Sequence, residues 1–135
     1  MNLARQPFKR RTIFMALKMQ TDFGEIDITN ESIATVVGMA TTQNYGVVGM
    51  ASKHQIRDGI QEILKQENYT KGVLVSVDNN DLVVVDVYII VNYGTKISEI
   101  CRNVQSSVKY ELGRQLGIAA NVVNVYVQGV RVIED

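Results

Sequence analysis

The feature that most constrains this chain is a pair of apolar runs, residues 72–77 and 82–93, on either side of Asp78-Asn79-Asn80-Asp81. Valine and isoleucine dominate both runs, and β-branched side chains favour a pleated backbone. Asn accepts positive φ, which suits a tight turn, so the segment reads as a β-hairpin. Two registers compete. A two-residue loop sets Val77 opposite Leu82 and Val75 opposite Val84. A three-residue loop sets Val77 opposite Val83 and Val75 opposite Val85, and gathers Val73, Val75, Val77, Val83, Val85, Val87, Ile89 and Val91 on one face. The second is expected, because a slip of one residue would turn half of these valines to the other side.

A sheet face this apolar needs a cover, and the strongest helical period lies just downstream. Over residues 96–116, Ile97, Ile100, Cys101, Val104, Val108, Leu112 and Leu116 fall on one stripe, and Gly117 is the stop. Upstream, Ile33, Val36, Val37 and Ala40 give a second helix ending near Thr42, with Asn30 as N-cap and Glu31 in the first turn. Gly38 costs that helix about 1 kcal/mol against Ala, which suggests close packing there. Residues 23–28 alternate as a half-buried strand, Ile26 and Ile28 against Glu25 and Asp27. Residues 45–51 read as a short strand or linker. Ser52 opens a further helix with Ile56, Ile60, Ile63 and Leu64 on its stripe, ending near Asn68. Residues 122–128 close the fold as a strand with Val123, Val125 and Val127 inward and Asn124, Tyr126 and Gln128 outward.

This order gives an α+β fold: a small mixed β-sheet with two long helices packed on one face and a third, shorter helix. The other sheet face would carry Leu82, Val84, Tyr88, Ile90 and Tyr126. Either the middle helix or a partner covers it, and Tyr88, Ile90, Tyr126 and Gln128 form the candidate interaction surface.

At 135 residues the chain suits one domain. Residues 1–14 contain the only Pro and a net charge of +4, with no apolar period, and read as a non-native or disordered basic extension. A basic arm for anionic lipid is the functional alternative. Residues 15–135 form the single domain and carry a net −4, which argues against DNA as a partner. No apolar run approaches the roughly 20 residues of a membrane span, and no signal peptide is recognisable, so a cytoplasmic protein is expected.

The chemistry is sparse. Cys101 is the only thiol and sits on a core stripe; His54 is the only imidazole, between Lys53 and Arg57. No metal set, no cofactor loop and no nucleophile–base pair is expected from them. Asp86 interrupts an apolar strand. An outward position on the polar side of that strand is the expected one. Gly46-Val47-Val48-Gly49, near Lys53 and Arg57, matches the bare Gly-x-x-Gly of KH RNA-binding domains. In those domains the loop joins two helices and exposes polar centres, whereas Val47 and Val48 favour burial. The alternative function is therefore a KH-like RNA-binding module.

Four ordered segments carry a family resemblance. They are Asp22-Phe23-Gly24-Glu25-Ile26-Asp27-Ile28-Thr29-Asn30-Glu31-Ser32-Ile33-Ala34, Tyr45-Gly46-Val47-Val48-Gly49-Met50, Tyr93-Gly94-Thr95-Lys96-Ile97, and Val122-Val123-Asn124-Val125-Tyr126-Val127-Gln128-Gly129-Val130. Together they resemble the alkaline shock (general stress) protein family of Gram-positive bacteria, and Ala51-Ser52-Lys53 with Asp58-Gly59 points to its YloU-like branch. The resemblance implies a small, non-enzymatic protein of envelope stress and envelope homeostasis. It also implies, for some members, membrane association through integral membrane partners, and genomic proximity to a fatty-acid-kinase protein. A well-specified core with no catalytic constellation, beside a sheet face that lacks a certain cover, adds the expectation of protein partners and a homo-oligomer. No catalytic residues carry over.

Overall fold

The computed structural model describes residues 10–12, 16–53, 62–80 and 82–132, with backbone alone at 10–12, 16 and 17. Its elements are β1 (Arg10–Thr12), β2 (Ala16–Thr21), β3 (Gly24–Thr29), α1 (Asn30–Thr42), β4 (Val47–Met50), a 3-10 helix (Gln66–Lys71), β5 (Val73–Asp78), β6 (Val83–Asn92), α2 (Ile97–Glu111), a π turn (Leu112–Leu116) and β7 (Ala120–Arg131). The fold is α+β, with helices on one face of a mixed sheet.

Strand β6 organises the molecule. β7 pairs with it in parallel from Val83 to Asn92, and so takes one whole edge. β5 and β4 therefore share the other edge end to end, both antiparallel: β5 against residues 83–87 and β4 against residues 89–91. β1 adds to the outer side of β5, with Arg10 opposite Asp78 and Thr12 opposite Ser76. This strand lies within the first fourteen residues, the part of the chain that the sequence sets apart.

The hairpin takes the register that the valine pattern favours: Val77 faces Val83 and Val75 faces Val85. Asp78, buried at the end of β5, explains how the turn is held. Its Oδ1 accepts from the Asn80 and Leu82 amides at 2.8 and 2.9 Å, and the Asp78 amide donates to the Leu82 carbonyl at 3.0 Å. Val73, Val75, Val85, Val87, Ile89 and Val91 form the helix-side face of the core. Against them lie Ile33, Ala34, Val37 and Ala40 of α1 and Ile100, Val104, Val108 and Leu112 from α2 and the turn after it. Gly117, at φ 67°, ends this helical run in the left-handed conformation, and the Ile118 amide closes back on the Leu112 carbonyl at 3.0 Å.

Gly38 earns its place through packing. Its α-carbon faces the ring of buried Tyr69, and a Cβ there would collide with three ring atoms. Asn44 joins the two long helices: its Nδ2 donates to the Ala40 and Thr41 carbonyls at 2.9 and 3.2 Å, while its Oδ1 accepts from the Ser107 hydroxyl at 3.0 Å.

Several expectations change. The N-cap of α1 is Thr29, not Asn30: the Thr29 backbone is extended and its hydroxyl accepts from the Ser32 amide at 3.1 Å. Residues 24–29 do form a strand, but it lies outside the main sheet: Ile28 is half-buried against the core while Ile26 is exposed. β2 pairs with β3 as a separate two-stranded sheet, Met19 opposite Ile26, and Phe23 at its tip is fully exposed. The third helix does not continue to Asn68 as an α-helix. The Leu64 amide donates to the Met50 carbonyl at 2.9 Å, so residues 62–65 run extended beside β4 before the 3-10 helix begins. Ile63 and Leu64, expected on one stripe, contact different glycines, Gly49 and Gly72. Ile56 and Ile60 lie outside the described residues.

Candidate interaction surface

The second face of the sheet is built from the alternate residues of its strands. β6 supplies Val84, Asp86, Tyr88 and Ile90; β7 sets Val122, Asn124 and Tyr126 opposite the first three. β5 contributes Ser76, opposite Val84, and β4 contributes Gly49, opposite Ile90. Parallel pairing in register thus places like beside like across β6 and β7. The Tyr88 and Tyr126 rings stack with centroids 4.9 Å apart and planes 19° from parallel. Beside them the Asn124 Nδ2 donates to the Asp86 Oδ1 at 2.8 Å.

The four residues expected to form a surface are brought to one region but differ in exposure. Tyr126 is 40% exposed and Tyr88 half-buried. Gln128 is half-buried and sits in a bulge: Val127 opposes Ile89 while Gly129 opposes Ile90, leaving Gln128 without an opposite residue. Ile90 is fully buried and contributes no surface; it supports the face from within, and Ile63 packs over Gly49 next to it. Val127, expected inward, is partly exposed; β7 pairs only with β6 among the described strands, so its outer side is an edge. Asp86, expected outward, is buried. The signal that could have placed it is Asn124, an amide at the matching position of the neighbouring strand.

The outer edge of β7 pairs with no strand among the described residues. Tyr126, Val127, Val130 and Val132 are all exposed along this margin. One edge acceptor is covered by a helix side chain: the Gln105 Nε2 donates to the Val123 carbonyl at 2.9 Å.

Elsewhere the chemistry is modest. A shallow cleft of about 400 Å³ lies at the start of α2, lined by Tyr45, Gly94, Thr95, Lys96, Glu99 and Asn103. The Thr95 hydroxyl is committed to the Asn92 carbonyl at 2.6 Å. Cys101 is half-buried at the margin of the α2 stripe, and burial pushes its thiol up from the ordinary value. Glu111 is held below the ordinary carboxylate range by hydrogen bonds from Arg114 and Gln115, on the exposed side of the helix end. No group of three or more His, Cys, Asp or Glu among the described residues could hold a metal ion. No helix among them is long and apolar enough to cross a membrane.

The Gly46-Val47-Val48-Gly49 segment lacks the geometry of the KH reading. It leads into and forms strand β4, rather than a loop between two helices. Gly46, at φ 89°, packs against Ile100, and Gly49 is buried beneath Ile63. His54 and Arg57 lie outside the described residues.

The chain is similar to known proteins over most of its length. The model of the alkaline shock protein 23 family, described as having a cell envelope-related function, matches residues 18–132. The uncharacterized protein YloU of Bacillus subtilis is 52% identical over 118 residues, covering 87% of this chain and 98% of its own. The uncharacterized protein Spy1614 of Streptococcus pyogenes is 49% identical over 120 residues, covering 88% of this chain and 98% of its own. The uncharacterized protein YqhY of Bacillus subtilis is 27% identical over 111 residues, covering 82% of this chain and 80% of its own. No solved structure matches.

Proposed function

Because the chain belongs to the alkaline shock protein 23 family, whose function is related to the cell envelope, we propose that it serves envelope homeostasis without catalysis, by binding other proteins and copies of itself. The single observation that supports this reading is the partly exposed Tyr88–Tyr126 stack on the second sheet face. Tyrosines that offer an apolar ring and a polar hydroxyl at a rigid position suit an interface core. The strands fix both rings before any partner arrives, so little side-chain entropy is lost on contact. In this reading the working surface comprises Tyr88, Tyr126 and Gln128. The protein reaches the membrane, where it does so, through an integral partner.

A strain lacking the gene, complemented with the wild type or with the Tyr88→Ala/Tyr126→Ala double variant, tests this reading. Survival under envelope stress is the readout, with far-UV circular dichroism and a thermal melt of the purified variant as the fold control. The double variant is expected to fold and to fail to restore survival. Full restoration by a folded double variant would refute the proposed surface.

A further inference from the structure

Strand edges are templates for other strands, and folded proteins usually blunt them with lysine, proline or a cover. β7 has few such devices. Residues 120–130 carry no charge and no proline, and Val122-Val123-Asn124-Val125-Tyr126-Val127 combines high strand propensity with zero charge. Two features limit how this edge could be used. Gln105 already occupies the Val123 carbonyl, so the stretch open to pairing starts at Asn124. The bulge at Gln128 bends the strand near the other end.

We propose that the outer edge of β7 pairs antiparallel with the same edge of a second copy of this chain, about a two-fold axis beside Tyr126. The argument for a second copy is self-complementarity. In this register Tyr126 meets Tyr126, Val125 meets Val127, and Asn124 meets Gln128. Each is a matched cross-strand pair: aromatic, β-branched or amide. No like charges oppose one another, because the segment has none. The Tyr88–Tyr126 stack, 4.9 Å between centroids, would then continue across the axis as four aligned rings. A register centred on Asn124 would instead need the Val123 carbonyl that Gln105 holds. A two-fold contact of this kind is closed, so it stops at the dimer. This deepens the self-association named above and rests on that reading.

The test combines mass in solution with a cysteine scan of the full chain. Light scattering across a wide range of concentrations should show the mass doubling as concentration rises, and Val127→Lys should abolish the doubling. In a Cys101→Ser background, Tyr126→Cys should cross-link to itself under mild oxidation, because a residue on a two-fold axis faces its own copy. Val122→Cys, far from the axis, should not. A wild type that stays monomeric at every concentration, a dimer unmoved by Val127→Lys, or equal cross-linking at 122 and 126 would each overturn the proposal. If Val127→Lys does not fold, the cysteine pair decides alone. A monomeric wild type whose double tyrosine variant still loses envelope survival would refute the dimer and leave the contact reading standing. An intact dimer with full survival would do the opposite.

Discussion

Replacing Gly38 with Ala sets two effects of known size against each other. Alanine is the better helix former, and at a mid-helix position that change alone favours folding by about 0.8–1 kcal/mol. The packing opposes it. A Cβ at Gly38 would fall within 3 Å of Cδ2, Cγ and Cε2 of Tyr69. Those atoms belong to a rigid ring in a buried residue, not to the free end of a flexible chain. Forcing extra volume into such a site costs about 1–3 kcal/mol. Three ring atoms this close put the cost at the upper end, about 2–3 kcal/mol, so the clash should win with a net loss of about 1–2 kcal/mol. Urea unfolding measures it: the midpoint should fall while the slope stays constant. The decisive arm is a double-variant cycle with Tyr69→Leu, which removes the ring. There Gly38→Ala should become neutral or stabilising, giving a coupling of opposite sign to the single change. If Gly38→Ala raises the midpoint while Tyr69 is present, the packing account of this helix is wrong.

Two further outcomes follow from particular contacts. Asn44→Ala removes two bonds to the end of α1 and leaves the Ser107 hydroxyl without its acceptor; a loss of about 1–3 kcal/mol is expected in the same unfolding assay, and Ser107→Ala should cost less. Burial raises the Cys101 thiol, so less of it is thiolate at any given pH than in the unfolded chain. Alkylation at pH 8 should therefore be slower in native protein than in urea, and equal rates would contradict the burial.

The strongest patterns translated directly into structure. The valine pairing fixed the hairpin register because a slip would have exposed the core face, and Asp78 then fastened the turn. The α2 stripe and Gly117 placed the last helical run for similar reasons. Other parts depend on neighbours that are distant in sequence. Ile63 and Leu64 fit a helical stripe, yet the Met50 carbonyl draws the Leu64 amide into an extended run. Asp86 looks outward when β6 is read alone; its burial becomes intelligible only with Asn124 opposite it. The β2 alternation, Leu17 and Met19 against Lys18 and Gln20, is present in the sequence, but its pairing with β3 becomes apparent only through the two-residue turn at Asp22-Phe23. Of the candidate surface, the Tyr88–Tyr126 pair is readable from strand alternation. The burial of Ile90 is not, since the alternation of β6 alone puts it on the same face as Tyr88.

Photo-crosslinking in living cells tests whether the tyrosine side of the sheet makes the contacts. A crosslinking amino acid at position 126 should yield discrete adducts, a dimer of this chain among them by mass spectrometry, while one at exposed Tyr110 on α2 should yield none. Adducts from position 110 alone, or the same adducts from both, would contradict the account.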